Sequence, residues 1–410
     1  MPPPIPIGSR VFALAEKRPV RLWTFLTLLV VILVVLIFAE RARLPVGSAA
    51  KPTAGYLYFL SSGQMSDTSN QGIADQVSLK VSPVRPPAAG ESYYAWLLPD
   101  QNAPENPLFL LGTLTLHGDE GSLFYNNPEH TNLLAFTSQL LVTEENSVVP
   151  PLSPSLNTED WRYQAIIPQQ VPPGQTYSFR DHLRHLLASD PKLQAYHLPG
   201  GLIPWLTRNI QAAYAQATNA RDAWQGNRTS SITLIRHDLM ALLYYLAGAS
   251  NAQQELPTIL PPDALSLESK AVSIGLLQID AQQDPPAYLN HVLLHLNGLF
   301  SSAGTTPSER TQISQIITTI ETINVWLQQA HQDVKQLVAM TDQQLQQPQA
   351  TFLLNDLATK ISYALAGRRD AVTGNVEQGV QWVIQVATDL ASVEITRYPA
   401  QDHADETSRF

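Results

Sequence analysis

The chain has no cysteine among its 410 residues. That absence removes disulfides, thiolate nucleophiles, c-type haem attachment and every cysteine-based zinc site. It says nothing about compartment, because an exported protein need not use disulfides. Phosphate-cradling and nucleophile-elbow motifs are missing as well: there is no P-loop, no GxGxxG after a strand pattern and no GxSxG. Charge is sparse and lopsided. Seven basic and two acidic residues among the first 51 leave residues 52–410 to carry −15 of the net −10. So acidic a body argues against nucleic acid as a partner.

What the chain does have is one long apolar run, Leu22 to Ala39, LWTFLTLLVVILVVLIFA, in which only Thr24 and Thr27 are polar. At helical rise such a run spans roughly 27 Å, enough to cross a hydrocarbon core. A cleaved signal peptide is the alternative, but its apolar region is usually shorter and followed closely by small residues. Here Glu40-Arg41-Ala42-Arg43 follows directly, and Gly47-Ser48-Ala49-Ala50 lies further on. The expectation is therefore a transmembrane helix at 22–39, with a short cytoplasmic tail at 1–21 and a juxtamembrane linker at 40–54. Arg10, Lys17, Arg18 and Arg21 on the N-terminal flank place the large C-terminal part extracytoplasmic.

Two textures divide the remainder. Tyr56–Leu60, Val77–Val81, Tyr93–Leu98, Leu108–Leu116, Ser122–Tyr125 and Phe136–Val142 are short, alternating and separated by turn residues, the pattern of strands. They predict a small antiparallel β-sandwich over 55–145. Residues 146–176 form a proline-rich linker, within which Trp161–Ile167 reads as an edge strand. From residue 177 to 398 the period becomes helical. Thr306-Pro307-Ser308-Glu309 is a capping box, and Asp284-Pro285-Pro286 reads as another helix start. Ile313, Ile316, Ile320, Ile323, Leu327, Ala330, Val334 and Leu337 repeat as an unbroken heptad seam. Further helices are expected near Thr351–Ala366 and Asn375–Tyr398, and a flexible tail at 399–410. The expected fold is multidomain α and β: a transmembrane helix, a small sandwich, then an all-α helical bundle.

Within the β portion, Tyr93-Tyr94-Ala95-Trp96-Leu97, Leu110-Leu111-Gly112, Gly121-Ser122-Leu123, Phe136 and Val142-Thr143-Glu144-Glu145 follow one another in that order. The set resembles the extracytoplasmic C-terminal domain of anti-sigma-K factors, single-pass bacterial regulators, over about residues 55–150. The resemblance implies a membrane-tethered sandwich in a bacterium. The family's sigma-binding cytosolic domain has no counterpart in residues 1–21, and the helical region has none in the family pattern.

Candidate chemistry lies mainly in histidines. His291 and His295 stand one helical turn apart, a spacing able to chelate a metal; the bland alternative is two solvent-facing polar residues beside Tyr288, off an apolar face of Leu289, Val292, Leu293, Leu296 and Phe300. His182 and His185 border an apolar stripe with Asp181 and Asp190 near them, which suits either a boundary position or metal or acid–base work. His237-Asp238 and His331 have the same two readings. Ser189 and Lys192 share the SxxK spacing, yet Pro191 marks a fresh helix start and no partner motif follows. Asp119-Glu120 and Glu144-Glu145 are acidic pairs of the kind calcium uses, without EF-hand spacing. Trp205, Tyr214, Trp224, Tyr244, Tyr245, Trp326 and Trp382 are core or groove aromatics, and Trp96 is core.

With no coherent catalytic motif and no implied cofactor, the leading expectation is a non-catalytic single-pass bacterial envelope protein. Its sandwich and bundle would bind a protein partner or ligand. The alternatives are a diverged anti-sigma-like membrane regulator and an envelope metal-dependent enzyme using His291 and His295.

Overall fold

The alternating segments fold as strands because their apolar residues fall on one face. In β1 (Thr53–Leu60), Leu57 and Phe59 are buried while Tyr56 and Tyr58 face outward. β2 (Gln76–Val81), β3 (Glu91–Pro99), β4 (Phe109–Thr113), β5 (Thr115–His117), β6 (Glu120–Asn126), β7 (Thr137–Asn146) and β8 (Trp161–Ile166) follow. The computed structural model describes residues 52–64, 71–226 and 231–399.

Ten helices come next among these residues: α1 (Phe179–Leu187), α2 (Pro191–Ala195), α3 (Leu202–Gly226), α4 (Ile232–Ala247), α5 (Ala249–Glu255), α6 (Tyr288–Ser301), α7 (Pro307–Ala339), α8 (Asp342–Leu345), α9 (Pro348–Ala366) and α10 (Val380–Asp389). A two-residue hairpin, β9 (Arg368–Arg369) with β10 (Val376–Glu377), precedes α10, and β11 (Ser392–Arg397) follows it. The heptad seam of α7 is buried along its whole length, and Thr306 caps that helix as the box predicts.

The nine-stranded sheet runs β4-β3-β7-β8-β11-β1-β2-β6-β5, with every neighbouring pair antiparallel. Its two end strands are consecutive in the chain, separated only by Leu114. The sheet must therefore curl until its ends approach, giving a nearly closed barrel. Gly112, at φ +119°, turns the corner, and Leu114 N donates to Tyr93 O at 2.9 Å.

This arrangement corrects the expected fold class. The sheet curls on itself instead of stacking as a small sandwich, and it is not complete within residues 55–145. Trp161–Ile166 is an interior strand, and the region 375–398 is a hairpin, a ten-residue helix and a strand, not one helix. Ser392-Val393-Glu394-Ile395-Thr396-Arg397 alternates and is β-branched, which favours the pleat over the helix. β11 inserts between β8 and β1, and one hydrophobic core runs unbroken from Leu57 and Phe59 to Ile320 and Leu337. Strands and bundle are one body. α6 starts at Tyr288, not after Asp284, because the segment before it is held by Gln278, whose Oε1 accepts from Ala287 N.

The expectations resting on a membrane-crossing helix are corrected too. Among the described residues no helix is long and apolar enough to cross a membrane. The longest, α7, turns one face of Thr, Ser and Gln away from the core. The run 22–39, with the flanking segments 1–21 and 40–51, lies outside the described residues. The expected transmembrane helix and single-pass membrane localisation are accordingly not supported.

Because β11 is hydrogen-bonded on both sides, the barrel is expected to fail without it. Ending the chain at Leu390 should abolish cooperative unfolding and near-ultraviolet circular dichroism of the whole body. Ile395→Ala, which empties a fully buried position, should cost about 3 kcal/mol in denaturant titration. A separate N-terminal sandwich would survive both changes.

Candidate metal centre

The site begins with how α1 is held. Ser178 and Asp181 form a capping box at its start. From there the nine residues divide among three faces. Leu183, Leu186 and Leu187 enter the core. Arg180 and Arg184 turn to the barrel, where Arg184 forks onto Asp100 at 2.6 and 2.8 Å and donates to Leu134 O and Thr137 O. Arg180 lies 3.1 Å from the same carboxylate. Such bidentate geometry fixes orientation as well as position. The third face carries His182 and His185 toward α6.

On α6 the buried positions are Tyr288, Leu289, His291, Val292, His295, Leu296 and Leu299. This is a regular stripe of three- and four-residue steps in which histidine occupies two core places. His291 is 4% exposed and His295 2%, whereas Phe300 is 40% exposed. The solvent-facing reading of the pair is therefore wrong: the apolar residues alone point to a face rotated from the real one. Gly298 lets the helices meet, since a Cβ there would lie 2.1 Å from His182 Cε1.

Asp190 completes the cluster. It is the N-cap of α2, its Oδ1 accepting from Lys192 N and Leu193 N at 2.9 and 3.0 Å. That leaves Oδ2 facing three imidazoles: His291 Nε2 at 3.6 Å, His295 Nε2 at 3.7 Å and His185 Nδ1 at 3.9 Å. Donor atoms of His185, Asp190 and His295 all lie within 4.8 Å of one another. These separations exceed the roughly 3.2 Å reach of a hydrogen bond. They are close to the about 3.3 Å between ligands on a tetrahedral zinc with bonds of about 2.0–2.1 Å. The buried Nδ1 of His185 has no hydrogen-bond partner. His182 contributes differently, its Nδ1 standing 2.9 Å from Nδ1 of His295. Tyr177, 36% exposed, lays its ring against His182, His185 and His295 at centroid distances of 4.7 to 5.8 Å.

Burial sets the protonation. Loss of water, then the charge of neighbouring imidazoles, pushes the pKa of His295 down to about 2. His182 is pushed down to about 4 by burial and then by His185. His185 and His291 are lowered by burial as well, against the opposing pull of Asp190. Neutral imidazoles keep a lone pair, which is what a metal requires.

The structure thus brings His291 and His295 together with His182, His185 and Asp190, each pair being visible in the sequence and only their convergence hidden. Tyr177 carried no sequence signal. The other candidates go elsewhere. His331 meets Glu255 at 2.8 Å, and His237 meets Asp238 at 3.1 Å. Lys192 Nζ donates to Asp284, so it does not serve Ser189. Glu144 is buried against Arg162 and Ala88 N, and Glu145 accepts from Ser155 N. Trp205, Trp224, Tyr244 and Trp326 are core. Trp96 is buried on the outer face of the sheet with Tyr94 and Leu141. Comparison with known protein families, with characterised proteins and with solved structures finds no match to this chain.

Alanine normally favours a helix interior over glycine by about 1 kcal/mol. At position 298 the sign is expected to reverse: Gly298→Ala should destabilise by about 1–3 kcal/mol, because the methyl displaces the His182 ring. Thermal denaturation beside an exposed control such as Asn297→Ala checks this.

Proposed function

We propose that this chain is a metalloprotein in which His185, Asp190 and His295 hold one divalent transition-metal ion, zinc foremost, with His291 beside them at 3.6 Å from Asp190 Oδ2. The observation that carries the reading is that ligand atoms of His185, Asp190 and His295 all lie within 4.8 Å of one another, the two imidazole nitrogens standing 3.9 and 3.7 Å from Asp190 Oδ2. Two imidazole nitrogens and one carboxylate oxygen suit zinc or a neighbouring first-row ion better than calcium or magnesium. With His295 Nε2 given to the metal, its neutral ring carries hydrogen on Nδ1 and donates it to His182. His182 is then the positioning residue that fixes the tautomer.

Three protein ligands, each less than a tenth exposed, leave the fourth tetrahedral position to water, a substrate or His291. The ion would fasten α1, the α2 N-cap and α6 together, and α1 is already bolted to the barrel through Asp100.

Elemental analysis of the purified full chain is expected to find about one metal ion per chain. His295→Ala and Asp190→Asn should lose it, and His331→Ala should retain it. Zinc at a hundredfold excess over its dissociation constant should stabilise the chelated protein by about 2.7 kcal/mol, read as a rise in Tm. His182→Ala should weaken binding by roughly 10–100-fold while leaving one site. No bound metal after zinc loading, with Tm unchanged, would overturn the reading.

A further inference from the structure

One cavity of this molecule is roomy and almost uncharged. It measures about 740 Å³ and lies between the outward face of α7 and a wall made of β10 and the start of α10. That volume falls within the roughly 300–1,000 Å³ of small-molecule sites. Its floor is the row Thr311, Ser314, Thr318 and Thr322, which recurs at three- and four-residue steps along one side of α7. From Thr311 to Thr322 the helix rises roughly 16 Å. Val376 and the half-buried ring of Trp382 make the wall apolar.

The hydroxyls of the floor have already spent their hydrogens. Thr311 Oγ1 donates to Pro307 O at 3.1 Å, Thr318 Oγ1 to Ser314 O at 3.0 Å and Thr322 Oγ1 to Thr318 O at 2.9 Å. A hydroxyl has one hydrogen to give, so these oxygens offer the cavity lone pairs only. The floor is a row of neutral acceptors, and it calls for donors in the ligand. Glu377 is the one charged residue in the lining, and Arg368 Nε already donates to its carboxylate. The same guanidinium lies over the rings of Trp326 and Tyr363, 5.7 and 5.5 Å from their centroids, so the hairpin stands as a fixed wall. A cation finds its carboxylate taken, and an anion meets lone pairs along the floor.

We infer that this cavity binds a neutral oligosaccharide, whose hydroxyls donate to the threonine row while the C–H face of one ring stacks on Trp382. A sugar ring carries several hydroxyl donors at its rim and an apolar face, which are the two surfaces this cavity matches. A peptide backbone brings a single donor per residue. Gln378, with donor and acceptor on one amide, can answer the oxygens of the sugar. The cavity shares no residue with the histidine cluster and does not rest on the metal reading.

Isothermal titration of the full chain with cello-, malto-, xylo- and chitin oligosaccharides tests this. A galacturonic acid trimer, a glucosamine trimer and an uncharged alanine–glycine peptide are titrated beside them, on metal-loaded and chelator-treated protein alike. Saturable one-to-one binding of at least one neutral series is expected in both preparations. Trp382→Leu should weaken it about tenfold. Thr318→Val, at an exposed position where the shape is kept and the acceptor lost, should weaken it about three- to tenfold without changing Tm. Gln329→Ala, exposed on α7 outside the cavity, should leave it unchanged. Absence of saturable binding by every neutral series would overturn the inference, as would tighter binding of the charged trimers or the peptide. Binding untouched by Thr318→Val and Trp382→Leu would do the same.

Discussion

Everything in this structure waits on one hydrogen-bonded ladder: β11 between β8 and β1. A strand edge in the middle of a sheet leaves a row of amides and carbonyls that nothing else in the fold satisfies. Filling that gap with the C-terminal strand joins two halves of a barrel and carries α10 against the strands. The helices therefore cannot be detached from the sheet, and the core runs through both. The buried fork of Arg184 on Asp100 extends the same logic. It fixes α1 to the barrel, and with α1 the orientation of two of the five residues in the histidine cluster.

The cluster shows how separate elements define a site that none defines alone. α1 supplies His182 and His185, the turn into α2 supplies Asp190, and α6 supplies His291 and His295. Each support is itself accounted for: a capping box, an N-cap with both of its backbone partners, and a glycine that permits close approach. A carboxylate held by two amide hydrogens through one oxygen presents the other without freedom to turn away. That restriction separates a preorganised ligand set from a chance gathering of polar residues.

Much of the local structure was legible in the sequence, and the tertiary level much less so. Val77, Leu79 and Val81 announced a strand, and Ile313 to Leu337 announced the long helix, because periodicity is local. The six residues of β11 follow a good helical segment, and a strand's partner about 340 residues away leaves no local trace. The apparent sandwich was misread for the same reason, since closure depends on that distant strand and on the bend at Leu114. The histidines of α6 were placed on the wrong face because counting only apolar residues treats imidazole as solvent-facing. In this helix, neutral histidine fills core positions. The two histidine pairs and Asp190 were each noticeable; their meeting was not, because it is a property of packing.

The position of β11 has a consequence for how the chain is made. β1 is synthesised more than 300 residues before β11, so β1 and β8 must wait with unsatisfied edges while the intervening chain is built. At a synthesis rate of about 5–20 residues per second, β1 waits on the order of 20–70 s. Pairing across so great a sequence separation is also intrinsically slow. The barrel therefore cannot close before β11 has been made.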